Sequence, residues 1–130
     1  MRARRTFQGT LILLGLVVLG TGMVDIVQGT AALPGDPYAG PTLDSNYRFF
    51  AGVWCTLGIV LLAAVPRPDR HALAVRGAFA AVFVGGVARA VSYLAVGSPH
   101  PLHVAFIVVE LLLPPPLLLW YGRTTRTAAG

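Results

Sequence analysis

The sequence predicts an all-α fold: an integral membrane four-helix bundle with both termini cytoplasmic. Three observations carry this. Of the 130 residues, 55 % are hydrophobic and only 12 % charged, about half the charged share of a soluble domain, and the mean hydropathy is +0.71. Four continuous apolar stretches each approach the ~20 residues a helix needs to cross ~30 Å of hydrocarbon. The arginines gather on one side of four such crossings. This balance excludes a disordered chain and a charged nucleic-acid module, and leaves little room for a soluble enzyme. The stretches are continuous rather than alternating, which speaks against strands. A membrane barrel would need at least ~8 alternating strands.

The first span is expected from Phe7 to Gln28. A cleaved signal peptide competes for this stretch, with its basic start and a small-x-small site at Gly29-Thr30-Ala31. The apolar run is longer than a signal-peptide core and carries Asp25 before that site, so a retained helix is preferred. Pro34, Gly35, Pro37, Gly40 and Pro41 make the following segment a loop. The second span runs from Tyr47 to Val65, with Asp44 or Ser45 available as its N-cap. Pro66-Arg67-Pro68-Asp69-Arg70-His71 is a tight polar turn. The third span covers Ala72 to Val96 and the fourth Leu102 to Tyr121, joined by Gly97-Ser98-Pro99-His100-Pro101. The whole chain, 1–130, is read as one four-span domain without internal repeats.

All ten basic residues are arginine. Eight of them (Arg2, Arg4, Arg5, Arg67, Arg70, Arg76, Arg123 and Arg126) fall on the side that carries both termini. The other side has Asp36, Asp44 and the His-bearing turn. Positive residues stay cytoplasmic, so the termini are expected inside, in a cell (inner) membrane. Trp120 and Tyr121 are then expected as interfacial anchors.

Each span carries one charge within it or at its edge: Asp25, Arg48, Arg89 and Glu110. Such a charge costs at least ~2.5–3.5 kcal/mol near the bilayer centre, so it normally pairs or faces a cavity. At ~1.5 Å per residue, Arg89 and Glu110 both lie ~12 Å from the outer ends of their spans. The short turn between those spans makes them neighbours, so the two charges are expected at one level. With Asp25 and Arg48 they make a charge-neutral set in the outer half of the bundle. Ser92 and Tyr93 share the Arg89 face; His103 shares the Glu110 face. One reading is a network that only fixes helix register. The other is a polar site in which Glu110 carries a proton or hydrogen bond and Arg89 is the fixed charge.

Pro114-Pro115-Pro116 strands the carbonyls of Glu110, Leu111 and Leu112. The triplet either ends the helix or kinks it beside a hydrated cavity; a kink is preferred. His100 and His103 offer two metal ligands without a third nearby, and loop hydration is the simpler account. Neither a metal nor a cofactor is expected. Arg48, Gly52 and Cys55 are placed on one face of the second span. The glycines are read as close-packing sites without a GxxxG pair. Cys55, the single cysteine, lacks an adjacent base and is read as a packing residue.

Three segments carry a family likeness: Asn46-Tyr47-Arg48-Phe49-Phe50-Ala51-Gly52-Val53-Trp54, Gly85-Gly86-Val87-Ala88-Arg89-Ala90-Val91-Ser92, and Glu110 in an apolar helix before prolines. In this order the sequence resembles the small bacterial four-span membrane proteins grouped as domain of unknown function 4345, and more distantly the DoxX-like four-span proteins. The resemblance implies that Arg48, Arg89 and Glu110 belong to a shared pattern; it implies no activity.

The expected function is that of a binding or accessory protein. Its partners would be the bilayer, a lipid-like or small polar ligand, and a membrane partner or a second copy, with no nucleic acid. An oligomeric proton- or ion-coupled transporter or channel is the alternative. A membrane enzyme ranks last, since Asp25, Glu110 and His103 form no recognised catalytic spacing.

Overall fold

The computed structural model describes residues 2–35 and 39–126, with side chains over 3–35 and 39–123. Asp36, expected in the first loop, and the side chains of Arg2 and Arg126 lie outside the described residues. Helix α1 spans Arg2–Gln28 and runs into a 3₁₀ turn at Gly29–Ala32. It is followed by α2 (Pro41–Ala64), α3 (Ala72–Val96), α4 (Pro101–Leu112) and α5 (Pro114–Arg126). Helices α4 and α5 follow end to end and share the fourth crossing. Four segments are long and apolar enough to span a bilayer: Ala3–Ala32, Pro41–Ala64, Ala72–Val96 and Pro101–Arg123. The architecture is an all-α four-helix bundle of membrane-span-like helices.

Helix α2 begins six residues before the expected Tyr47. Pro41 occupies its first turn and Gly40 is the N-cap, so neither Asp44 nor Ser45 caps it. Proline is suited to this position because its fixed φ is helical and its missing N–H would have had no partner there. Residues 41–46 therefore add about a turn and a half to the helix.

Helices α1 and α2 pack against each other most extensively. A Cβ on Gly58 would fall 2.7 Å from the Leu19 backbone nitrogen, and one on Gly22 would fall 2.6 Å from Cys55 Sγ. The backbones touch here, as membrane helices do where dispersion replaces the hydrophobic drive. Ala51, Cys55 and Gly58 form the buried stripe on α2. Gly52 would meet nothing within 4 Å. Of the expected face of Arg48, Gly52 and Cys55, Arg48 and Cys55 meet α1 and Gly52 does not.

The core lies at the end that carries both termini. Phe7 and Leu11 of α1, Leu61 and Ala64 of α2, Val75, Ala78 and Phe79 of α3, and Leu117 and Tyr121 of α5 form one buried cluster. The Phe7 ring lies 5.3 Å from both Trp120 and Tyr121. Tyr121 is fully buried and its hydroxyl donates to the Pro68 carbonyl at 2.6 Å. It is therefore a core residue that ties the α2–α3 turn to α5, not the interfacial anchor expected. Gln8 Nε2 donates to the Val65 carbonyl at 2.8 Å, closing the end of α2.

The proline triplet interrupts the fourth crossing without unwinding it. Helix α4 ends at Leu112 and α5 starts at Pro114, with Leu113 between them. Pro114 is fully buried and anchors α5 to the core. No residue of helix α4 is fully buried. In α3, Gly86 is the one buried residue beyond Phe79. The bundle is closed at the termini; at the opposite end the α1–α2 and α3–α4 pairs keep their own contacts and leave open space between them.

Candidate functional site

Two polar constellations occupy the end opposite the termini, and they use the four intramembrane charges differently. The first ends α1. Gly29 takes φ +61°, the left-handed conformation that stops a helix and that glycine alone adopts without cost. Arg48 Nη1 donates to the carbonyl of Ile26 and to that of Val27 at 3.0 Å. These last-turn carbonyls have no helical partner, and in lipid each would cost several kcal/mol unpaired. Arg48 Nε donates to Asp44 Oδ2 at 2.7 Å, one turn back on α2. Asp44 Oδ1 in turn accepts from the Thr30 amide at 2.9 Å and from its hydroxyl at 3.2 Å. A Cβ on Gly29 would collide with both Asp44 and Arg48. Arg48 is thus a clamp between α1 and α2, satisfied by Asp44 and backbone oxygens. The structure does not bring it to the Arg89–Glu110 pair as expected.

The second constellation is a cavity of about 410 Å³ between all four crossings, whose lining includes Asp25, Tyr47, Trp54, Arg89 and Glu110. Arg89 Nε lies 3.0 Å from Glu110 Oε2. The contact is possible because α4 crosses α3 at Gly86, where a Cβ would fall 2.8 Å from Glu110 Cβ. Only 13 % of the Glu110 side chain is exposed, against 44 % for Arg89. Glu110 Oε2 is buried and receives no aligned hydrogen bond, so charge rather than a directed N–H holds the pair. The Arg89 guanidinium also lies 5.9 Å from the centre of the Phe106 ring, within cation–π range.

On the opposite wall Tyr47 and Asp25 line the cavity together. Trp54 Nε1 donates to Thr21 Oγ1 at 3.0 Å, fixing the indole against α1. Among the described residues, no arginine pairs with Asp25 within 4 Å. With Arg48 spent on Asp44, the cavity wall carries two carboxylates and one guanidinium, not the neutral set of four expected. A second, open depression of about 370 Å³ lies between α2 and α3 and shares Val53, Leu57 and Ala81 with the lining of the first.

His103 is half-buried beside Phe106, with ring centres 5.8 Å apart, in the electrostatic reach of Arg89 and Asp25. Ser92 and Tyr93 are exposed on α3 and do not line the cavity. His100 is the N-cap of α4; its Nδ1 accepts from the Leu102 amide at 3.3 Å. No group of three His, Cys, Asp or Glu side chains able to hold a metal occurs among the described residues. Cys55 is buried with its sulfur 3.8 Å from the Leu19 carbonyl.

Tyr47 and Trp54 were missed as site residues. Their signal was present: Tyr47, Phe50 and Trp54 follow at spacings of three and four, an aromatic stripe beginning one turn after Asp44.

Fold and composition together define a small helical polytopic membrane protein. Residues 6–121 match the family described as Domain of unknown function (DUF4345), and the chain belongs to it. No curated protein matches the chain. No solved structure matches it either.

Proposed function

We propose that this protein is a membrane binding or accessory protein that holds a small polar or lipid-like ligand in the cavity between its four crossings. One observation carries the reading. The Arg89–Glu110 pair lines an open cavity, and the buried Glu110 Oε2, 3.0 Å from Arg89 Nε, accepts no aligned hydrogen bond. Intramembrane ionisable groups that face a cavity mark ligand or ion sites by default. Asp25 completes the site; His103 flanks it. In this reading the whole chain is one four-span domain in a cell (inner) membrane. Its termini are cytoplasmic, on the arginine-rich side.

The test is what copurifies. Extracts of the wild type, Glu110→Gln and Arg89→Leu are compared by mass spectrometry after purification from the same membranes. The reading predicts a small molecule, lipid or membrane partner retained by the wild type and lost from both variants, with topology unchanged. Variants that retain everything the wild type retains refute it.

A second reading, ion- or proton-coupled transport by an oligomer, is favoured by the interrupted fourth crossing. Prolines 114–116 leave the carbonyls of Glu110, Leu111 and Leu112 without helical donors, next to the charged pair. Irregular backbone at membrane depth is tolerated where it lines a hydrated cavity. This reading requires flux in liposomes that Glu110→Gln abolishes.

A further inference from the structure

We infer that the ligand of this cavity is an amphiphilic cation, its positive head held by Asp25, Tyr47 and Trp54 and its single apolar chain lying in the groove between α2 and α3. The inference deepens the binding reading and rests on it.

Charge accounting comes first. Arg48 is neutralised by Asp44 at 2.7 Å, and it lies outside the cavity lining. Arg89 is neutralised by Glu110 at 3.0 Å. Asp25 remains. The Tyr47 side chain lines the same cavity and contributes no charge. A carboxylate at membrane depth without a cation is costly, and a ligand bearing one positive group removes that cost. An anionic head would face two carboxylates and one already paired guanidinium.

Shape and surface chemistry agree with the charge. The cavity brings the rings of Tyr47, Phe50 and Trp54 to the same space as Asp25. Aromatic faces attract an ammonium, most strongly when it is desolvated. Trp54 is held in place by its bond to Thr21. The cavity volume, about 410 Å³, falls within the ~300–1,000 Å³ of small-molecule sites.

The groove supplies the second, independent half. It is lined by Thr56, Val60, Gly77 and Ala78 in addition to the residues shared with the cavity. Gly77 has nothing within 4 Å of its Cβ position, so the floor is unfilled. From Arg89 to Gly77 the two depressions run about 18 Å along α3 at 1.5 Å per residue. A polar head site beside an open apolar groove that shares part of its lining fits one chain of an amphiphile, not a compact polar solute.

The experiment uses the full chain in a neutral detergent, with Trp120→Phe so that Trp54 is the sole tryptophan. Its fluorescence is titrated with dodecylammonium, dodecanol and dodecyl phosphate, which share one tail. We expect saturable binding of dodecylammonium at least about tenfold tighter than dodecanol, the factor that ~1.4 kcal/mol of head-group recognition gives. Asp25→Asn should remove that preference. Ala81→Phe, which fills the junction of cavity and groove at an exposed position, should weaken all binding without altering charge. It keeps the test decisive if Asp25→Asn fails to fold. Tighter binding of dodecyl phosphate that depends on Arg89 and not on Asp25 overturns the cation assignment while leaving the cavity as a ligand site. Equal binding of all three tails, unaffected by Ala81→Phe, overturns both. Saturable dodecylammonium binding indifferent to Asp25→Asn and Ala81→Phe also overturns the inference.

Discussion

The two ends of this bundle are built from different chemistry. At the termini end, side chains from α1, α2, α3 and α5 close into one apolar cluster, and its buried hydroxyl, on Tyr121, has a partner. At the opposite end no α4 residue is fully buried, and two carboxylates and a guanidinium line open space. Interior packing at near-crystalline density makes the first end a rigid base. At the second end α1 and α2 stay clamped together, while the space between that pair and α3–α4 is left open. The proline triplet marks the boundary, with Pro114 sunk in the core and Glu110 one turn away in the cavity wall.

The largest expected effects come from breaking the base. Phe7→Ala removes a fully buried ring between Trp120 and Tyr121 and should cost about 3–5 kcal/mol, the range for aromatic truncation in a core; thermal unfolding in detergent measures it. Closing the contact between α1 and α2 comes next. Gly58→Ala should cost about 1–3 kcal/mol by overpacking against Leu19, whereas Gly52→Ala, with nothing to meet, should be neutral or stabilising by up to about 1 kcal/mol. Equal effects of the two glycine variants would show that the α1–α2 contact is misplaced.

The Arg48 clamp lies between these extremes. Arg48→Gln leaves Asp44 without its cation and two backbone carbonyls without a donor. It should lower stability by about 1.5–3 kcal/mol, as for hydrogen bonds to charged groups. Gly29→Ala should act in the same direction, since its left-handed φ costs a side-chain residue about 1–2 kcal/mol. The smallest effect on stability belongs to the open end. The double variant Arg89→Gln/Glu110→Gln removes both charges together, leaves no unpaired charge behind, and should change stability less than any destabilising variant above, while abolishing ligand retention. A loss as large as that of Phe7→Ala would make the pair a fold-fixing element instead.

Much of this was legible in the sequence, for physical reasons that differ from residue to residue. Span number follows from apolar length, and α3 starts and stops where its flanking polar turns dictate. The proximity of Arg89 and Glu110 follows from equal depth on helices joined by a short turn. Arg48 was misassigned because depth alone cannot distinguish a charge facing a cavity from one capping a neighbouring helix. The informative pair was Asp44 and Arg48 at a spacing of four, with Gly29 ending α1. Position in the chain alone makes Tyr121 an interfacial anchor. Its burial depends on the α2–α3 turn folding over α5, a long-range contact that local pattern does not encode.

The most direct test compares the two ends in one experiment. The wild type, Asp25→Asn, Glu110→Gln and the packed-end variant Leu61→Ala are released from their own membranes in nanodiscs and weighed by native mass spectrometry. The account predicts a reproducible bound mass in the wild type and in Leu61→Ala, absent from Asp25→Asn and Glu110→Gln. A bare wild type, or a bound mass that the open-end variants keep, would contradict it.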